Sequence, residues 1–398
     1  MNKSAISNAV IGAYDGWFID KLCLYQIHDT PLPFIGKNGA IDFDLLTGET
    51  DDALKIKGKL PVMASYSTSI RVHCDGHKVY VEGNPSRFGR CENLFGLTSI
   101  DECIAVYNHV LLSLGLPPFT AGRFEFLQGK DGHKQRKMYT GAVITHIDIT
   151  KNHMVGQDNT YAFLRAVSTL SLPNGKLPYL YPNGATVEWS SSKCGRGSSW
   201  DYSKIYIKHV DLIDKQKSNL KDATDEDCEY YQKVIEHCQH AGLIREEHSF
   251  KSKKLQRYDL CYYGFVTLKQ LVEHHTLTTL EKLTTTLEAA TMDYVTIADQ
   301  LLAKHIVNSR QAANATQNIA MAWLNDPRFH EKTARNSQYY VHKKRLLALG
   351  LDISVPFRAD RNVLPMIRNQ REITRYEYQE RPSWYRAPTT TPRFQLIA

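Results

Sequence analysis

The chain has no run of about eighteen apolar residues, so nothing in it could cross a bilayer as a single helix. Its first stretch, "MNKSAISNAVIGAYDG", lacks the basic start, long apolar run and small-residue cleavage site of a secretory leader, and a cytoplasmic protein is expected. The eight cysteines (23, 74, 91, 103, 194, 228, 238 and 261) include no C-x-x-C pair and no regular spacing. That excludes the usual zinc-finger and disulfide frameworks and predicts reduced thiols. No internal repeat of fixed period is present, which excludes solenoids and propellers.

What is present is a chain of 398 residues, 42% hydrophobic, enough for a substantial core divided over two or three domains. The net charge of +7 is unevenly placed. From Met292 onward there are 16 Lys and Arg against 9 Asp and Glu, whereas the first 291 residues hold 33 of each. The whole excess therefore lies in the last quarter, as in a segment that grips phosphates; a solvated basic face without a partner is the competing reading. "HCDGH" at 73–77 has the composition of a metal box, but Asp-Gly between two alternating runs is a hairpin signal, and the turn is the expected reading.

Short alternating runs to about residue 110 predict a β-rich opening, and "TSIDECIAVYNHVLLSLG" predicts a helix that ends at Gly115. The middle of the chain reads in sequence as strand "TGAVITHIDIT", helix "DNTYAFLRAVSTL", strands "GATVEWS" and "SKIYIKHVDL", helix "TDEDCEYYQKVIEHCQHAG" and strand "LIREEHSFK". This β-α-β-β-α-β order predicts an α+β fold with a ferredoxin-like antiparallel sheet, its first strand central between the third and fourth. From about residue 267 the pattern becomes helical, and the Pro-, Thr- and Arg-rich end is expected to be extended and only partly ordered. The expected division is 1–135 (β-rich), 136–266 (core), 267–291 (helical linker) and 292–398 (basic and mainly helical).

Residues two apart in a strand share a face. Alternation therefore groups His146 with Asp148, Tyr206 with Lys208, and Arg245 with Glu247, opposite isoleucines that bury against the helices. Glu246 sits less comfortably on the apolar side, and His209 and Asp211 fall there too unless a bulge re-aims them. Asp148, Glu247 and His146 are the donors expected of a site for one hard divalent ion, Mg²⁺ or Mn²⁺. A tyrosine beside such an ion can attack a phosphodiester, and Lys208 would stabilise its phenolate or contact the phosphate. An Arg245–Glu247 ion pair beside a merely packed Tyr206 is the plain alternative.

Several segments resemble a known family, the rolling-circle replication initiators of filamentous bacteriophages (gene II proteins): "NLFGLTSID" (93–101), "THIDIT", "TVEW", "YIKHVDL", "GLIREE", "NVLPMIR" (362–368) and "QERPSWY" (379–385). The resemblance implies an HUH-like endonuclease that nicks one strand of supercoiled origin DNA through a 5′-phosphotyrosine, primes synthesis from the freed 3′ hydroxyl, and rejoins the strand on termination. It implies Tyr206 as nucleophile, Lys208 beside it, and Asp148, Asp211 and Glu247 as the acids. His146 stands where the family has Arg, and Asp211 where it has Glu. Tyr202, which the resemblance does not cover, lies four residues before Tyr206 and would share its face as a second tyrosine. The basic end from Met292 is similar to the family's shorter gene X product. Lys343, Lys344 and Arg345 are its candidate contacts to the DNA backbone. Double-stranded origin DNA, single-stranded DNA, and a host helicase and polymerase are the implied partners, in the host bacterial cytoplasm. A non-catalytic DNA-binding replication regulator with the same fold is the alternative.

Overall fold

The computed structural model describes residues 16–41, 45–48, 55–128, 135–170, 172, 176–190, 200–221, 223–275, 295–326, 328–349, 351–356, 373, 375–392 and 394. The chain forms two compact units, Met1–Leu283 with Arg375–Ala398, and Thr284–Thr374.

The first unit opens with β1 (Trp17–Ile27), then β2 (Phe34–Ile35), β3 (Asn38–Ala40), β4 (Lys55–Lys57), β5 (Leu60–Ala64), β6 (Thr68–Asp75) and β7 (Lys78–Gly83). Helix α1 (Ile100–Ser113) follows, started by a capping box between Ser99 and Glu102. After β8 (Phe124–Gln128) and β9 (Gln135–Tyr139) come β10 (Val143–Met154), α2 (Thr160–Val167), β11 (Leu177–Leu180), β12 (Thr186–Ser190) and β13 (Asp201–Ile207). The unit continues through α3 (Lys208–Asn219), α4 (Asp225–His240), β14 (Leu243–Lys251), α5 (Ser252–Arg257) and α6 (Leu268–Glu273). The Asp75-Gly76 pair does turn β6 into β7, with Gly76 at φ +97°, while His73 and His77 each bond a separate backbone carbonyl.

One antiparallel sheet, ordered β11-β12-β13-β14-β10-β1-β7-β6-β2, joins the β-rich opening to the core. The α+β class and the antiparallel sheet are as expected, but the ferredoxin-like order is not. The fourth core strand, β14, lies between β10 and β13, so the first strand is not flanked by the third and fourth. The place expected for the third strand beside β10 is taken by β1, which pairs with it from Trp17 to Tyr25. Helices also cover both faces, where one open face was expected. Ile147, Ile149 and Phe250 pack with Cys103, Tyr107 and Val110 of α1 on one side. On the other, Leu243 packs with Leu212 of α3 and Tyr231, Val234, Ile235 and Cys238 of α4.

A second correction concerns "YIKHVDLID". The strand stops at Ile207 and α3 starts at Lys208, so Lys208, His209 and Asp211 are helical. The sequence alternates well enough to pass for a strand, but Asp211 pairs with Lys208 (3.0 Å) and Lys215 (2.6 Å) at helical spacing, and Leu212 is buried.

The second unit holds α7 (Val295–Ala303), α8 (Arg310–Asn325), α9 (Phe329–Lys332) and α10 (Ser337–Leu347) around Leu301, Ala313, Ala320, Trp323 and Leu346. Met292 and "NVLPMIR" lie outside the described residues. The extended end of the chain returns to the first unit. It adds β15 (Tyr376–Glu377) beside β10, and Tyr385 there is buried against Leu94 and Phe95. The Tyr385 hydroxyl accepts from the Phe95 N–H (2.9 Å) and from Arg90 (2.6 Å). The Arg-Pro-x-Trp-Tyr end is therefore part of the packed structure. Replacing Tyr385 by Ala should cost about 3–5 kcal/mol of first-unit stability, read as a lowered midpoint in urea unfolding followed by circular dichroism.

Candidate active site

Register across three strands brings the reactive side chains together. Tyr202, Lys204 and Tyr206 of β13 stand opposite Ser249, Glu247 and Arg245 of β14; on β14's other side these three stand opposite Asp148, Thr150 and Asn152 of β10. Each polar row is thus continuous across β13, β14 and β10.

Arg245 is wholly buried, and its donors are spent on the Asn152 Oδ1 (3.0 Å) and the carbonyls of Asn93 (2.9 Å) and Leu94 (2.8 Å). The Arg245–Glu247 ion pair of the plain alternative does not form. Glu247 pairs instead with Lys204, Nζ to Oε1 2.8 Å, and its Oε2 lies 3.5 Å from the Tyr206 hydroxyl, which donates to it. Lys204 Nζ is 5.2 Å from the centre of the Tyr206 ring and Lys208 Nζ 5.9 Å. Lys208 thus reaches Tyr206 from the first turn of α3 rather than along the strand. Its ammonium donates to Asn93 Oδ1 (3.1 Å) and Asp211 Oδ2 (3.0 Å).

Asp148 accepts from the Ser249 hydroxyl and bonds His146 Nε2 at 2.8 Å. The same His146 nitrogen lies 2.9 Å from Lys251 Nζ. Tyr202 lies in this lower row, with Lys251 Nζ 5.1 Å from its ring centre. The two tyrosines share a face, as expected, but each stands beside a different carboxylate. His209 takes no part; its Nδ1 is buried without a partner among the described residues.

Burial dominates the electrostatics. It pushes the Tyr206 phenol well above its ordinary range, so the resting group is protonated, although Arg245 and Lys204 work the other way. It also raises Glu247, aided by the charges of Asp148 and Asp20 and against the pull of Lys204. Burial pushes Asp148 up, but the bond and charge of His146, the Ser249 hydroxyl and Lys204 together hold it below the usual carboxylate range. Of the two acids Asp148 stays ionised and Glu247 is the readier to take a proton. Burial and the neighbouring Arg245 bring the Lys208 ammonium down to about 8, while Asp211 opposes this. Asp211 itself is held far down by Lys208 and Lys215 despite its burial.

Two participants were missed in the sequence. Asp20 enters where the β1–β10 register slips between Ile19 and Lys21, and it accepts from Asn84 (2.9 Å) and Asn93 (2.5 Å). The legible signal was that Ile19, Leu22 and Leu24 are core-forming but spaced three and two apart, the mark of a bulge in an alternating strand. Asn93, in the loop before α1, bonds Asp20, Lys208 and Arg245 at once. No local pattern announces that role. Tyr206 and Lys204 line a cleft of about 180 Å³ together with Thr186, Tyr181, Asp211 and Asp214.

In the second unit Lys343 donates to Ser354 (2.8 Å) and Arg345 to Thr316 (3.2 Å), while Lys344 is exposed.

Comparison with known proteins places the chain among bacteriophage replication-associated proteins. Residues 301–391 match the family model for the C-terminal part of the phage replication-associated protein, the gene II product. The replication-associated protein of this type from Escherichia phage If1 is 32% identical over 326 residues, which cover 81% of this chain and 98% of that protein. The chain belongs to this family, the gene II proteins of filamentous phages.

Substitution of Asp211 by Asn removes the charge that holds the Lys208 proton on. The Lys208 titration, followed by NMR of labelled lysine side chains, should fall from near pH 8 to a lower pH; an unchanged midpoint would show that the Lys208–Asp211 contact is absent in solution.

Proposed function

We propose that the chain is a rolling-circle initiator that nicks the origin strand of supercoiled double-stranded phage DNA, with Tyr206 as nucleophile and a 5′-phosphotyrosine intermediate. The observation that supports this most is the Tyr206 hydroxyl beside Glu247, with Lys204 and Lys208 around the ring, in a family named for replication. The phenolic oxygen forms a bond to phosphorus as the bond from phosphorus to the 3′ oxygen breaks. Glu247, whose affinity for a proton is raised, accepts the phenolic proton and returns it, directly or through water, to the leaving 3′ oxygen, which ends as a hydroxyl, so the step balances. Lys204 and Lys208 offset the negative charge that develops on the phenolate and phosphate. Rejoining at termination is the reverse transfer.

Two buried carboxylates in adjoining rows, with the repulsion of Asp148 felt at Glu247, suit a hard divalent ion in charge and donor type. Asp148 and Glu247 would hold Mg²⁺ or Mn²⁺, and His146 could join them through Nδ1, since its Nε2 is occupied by Asp148 and Lys251. Such an ion withdraws charge from the phosphate oxygens. The freed 3′ hydroxyl would serve a host polymerase, with a host helicase and single-stranded DNA as further partners, in the host cytoplasm. The basic end from Met292 is read as the DNA-binding, gene X-like part.

Wild-type protein mixed with supercoiled origin DNA and Mg²⁺ should yield open circles and DNA-linked protein on a denaturing gel. Tyr206→Phe should lose both while still binding DNA, and Glu247→Gln should nick about 10²–10⁴-fold more slowly. Nicking that survives Tyr206→Phe would move the nucleophile, Tyr202 being next in line. A wild type that binds the origin without cutting it would be the non-catalytic regulator. Lys344→Gln should lower the slope of log K against log salt by about 1, measured by fluorescence anisotropy on origin DNA.

A further inference from the structure

The reverse face of β14 carries Glu246 and His248, which the proposed reaction does not use. Together with His275, just beyond α6, they form a group whose potential ligand atoms all lie within 4.8 Å of one another. All three side chains are buried, beneath Trp17, whose ring centre lies 5.1 Å from that of His275. His248 and His275 stack with their centroids 4.8 Å apart.

The hydrogen bonds around the group have the form of a ligand support. His248 Nδ1 lies 2.9 Å from the Ser203 hydroxyl, and its Nε2 lies 2.9 Å from Glu246 Oε1. His248 Nε2 and Glu246 Oε1 face each other across a proton, and a metal ion would take that proton's place between them. The other Glu246 oxygen is held by His153 Nε2 (2.9 Å) and Arg375 (3.3 Å), which orient it and leave Oε1 toward the two imidazoles. His153 is itself buried, and its Nδ1 has no partner among the described residues.

We infer that Glu246, His248 and His275 form a buried structural site for a transition-metal ion of the zinc class, on the sheet face opposite Tyr206. Two imidazole nitrogens and one carboxylate oxygen are the borderline N/O set that zinc takes, and a poor set for Mg²⁺ or Ca²⁺. A fourth position falls to water or to His153 after its ring turns. Of the nearby cations, Lys254 is paired with Asp201 and Lys151 with Glu377, while Arg375 sits on the second oxygen of Glu246. The ion would fasten β14 to the segment that follows α6, where the chain leaves the first unit.

The test is elemental analysis of full-length protein purified without chelator and dialysed, with X-ray absorption at the zinc edge. The expected result is about one zinc per chain, bound through nitrogen and oxygen with imidazole scattering. His275→Gln and His248→Gln should each lower the retained zinc at least tenfold, whereas Asp148→Asn, on the opposite face, should leave it unchanged. Cobalt(II) added to chelator-stripped protein should give a visible d–d spectrum that His275→Gln abolishes. Zinc bound through sulfur, zinc retained equally by the His275 and His248 variants, or stripped protein that takes up neither ion would each overturn the assignment. The absorption spectrum of the wild type decides the matter even if a variant fails to fold.

Discussion

A guanidinium with no access to water must find its acceptors inside the protein, and at Arg245 that requirement organises everything around it. Its donors are satisfied by Asn152 of β10 and by two carbonyls of the 93–94 loop, so one side chain fixes β14, β10 and the approach to α1 relative to one another. Removing any acceptor would leave a buried charge short of partners, a cost of several kcal/mol. Asn93 then passes the constraint on, through Lys208 to the start of α3 and through Asp20 to the bulge in β1. The position of Tyr206 is therefore set from three sides, by register within the sheet, by Lys204 and by Lys208. In the proposed reaction the phenol meets phosphorus in line and gains from being held this way, because positioning supplies much of the rate.

The parts of the fold legible in the sequence were those set by local periodicity. The core strands, α1 and α4 follow from alternation, a capping box or an acidic first turn, and these signals are local. Strand order is not local. β1 and β10 are more than a hundred residues apart, yet their pairing displaced the ferredoxin-like arrangement and closed the expected open face. The grouping of Asp148, Glu247 and Tyr206 survived because side-chain parity along a strand does not depend on which strand is its neighbour. Lys208 was brought to the right place by the wrong route, whereas Asp211, which alternation sends to the other face, is returned beside Lys208 by a helical turn. Asp20 was hidden because a bulge breaks the very alternation used to read the strand.

In the proposed reaction, the burial of Tyr206 constrains the form of DNA that can be cut. The ring is only 8% exposed, at the foot of a cleft that opens between β12, β13 and α3. A phosphodiester within a duplex is held beside its partner strand and cannot reach so far in. The backbone has to leave the duplex first, which is why supercoiled DNA, with the free energy to melt locally, suits this geometry better than relaxed DNA. The raised proton affinity of the phenol has the same source as its protection. In the proposed reaction the buried phenol keeps its proton until an entering phosphate alters the balance of charge around it.

β14 breaks the usual pattern of a strand that is polar on one face and apolar on the other. Arg245, Glu247 and Ser249 point to one side, Glu246 and His248 to the other, and all five are buried. Burying that many polar groups in the middle of a sheet is costly unless each is satisfied, and natural sequences tolerate such departures mainly where function requires them. The front set is accounted for by the proposed chemistry. The back set binds no other part of that machinery, and its carboxylate is braced at one oxygen while the other faces two imidazoles. Side-chain parity puts the two sets on opposite faces of one strand, so an ion that stiffens β14 from behind would also steady Arg245 and Glu247 in front.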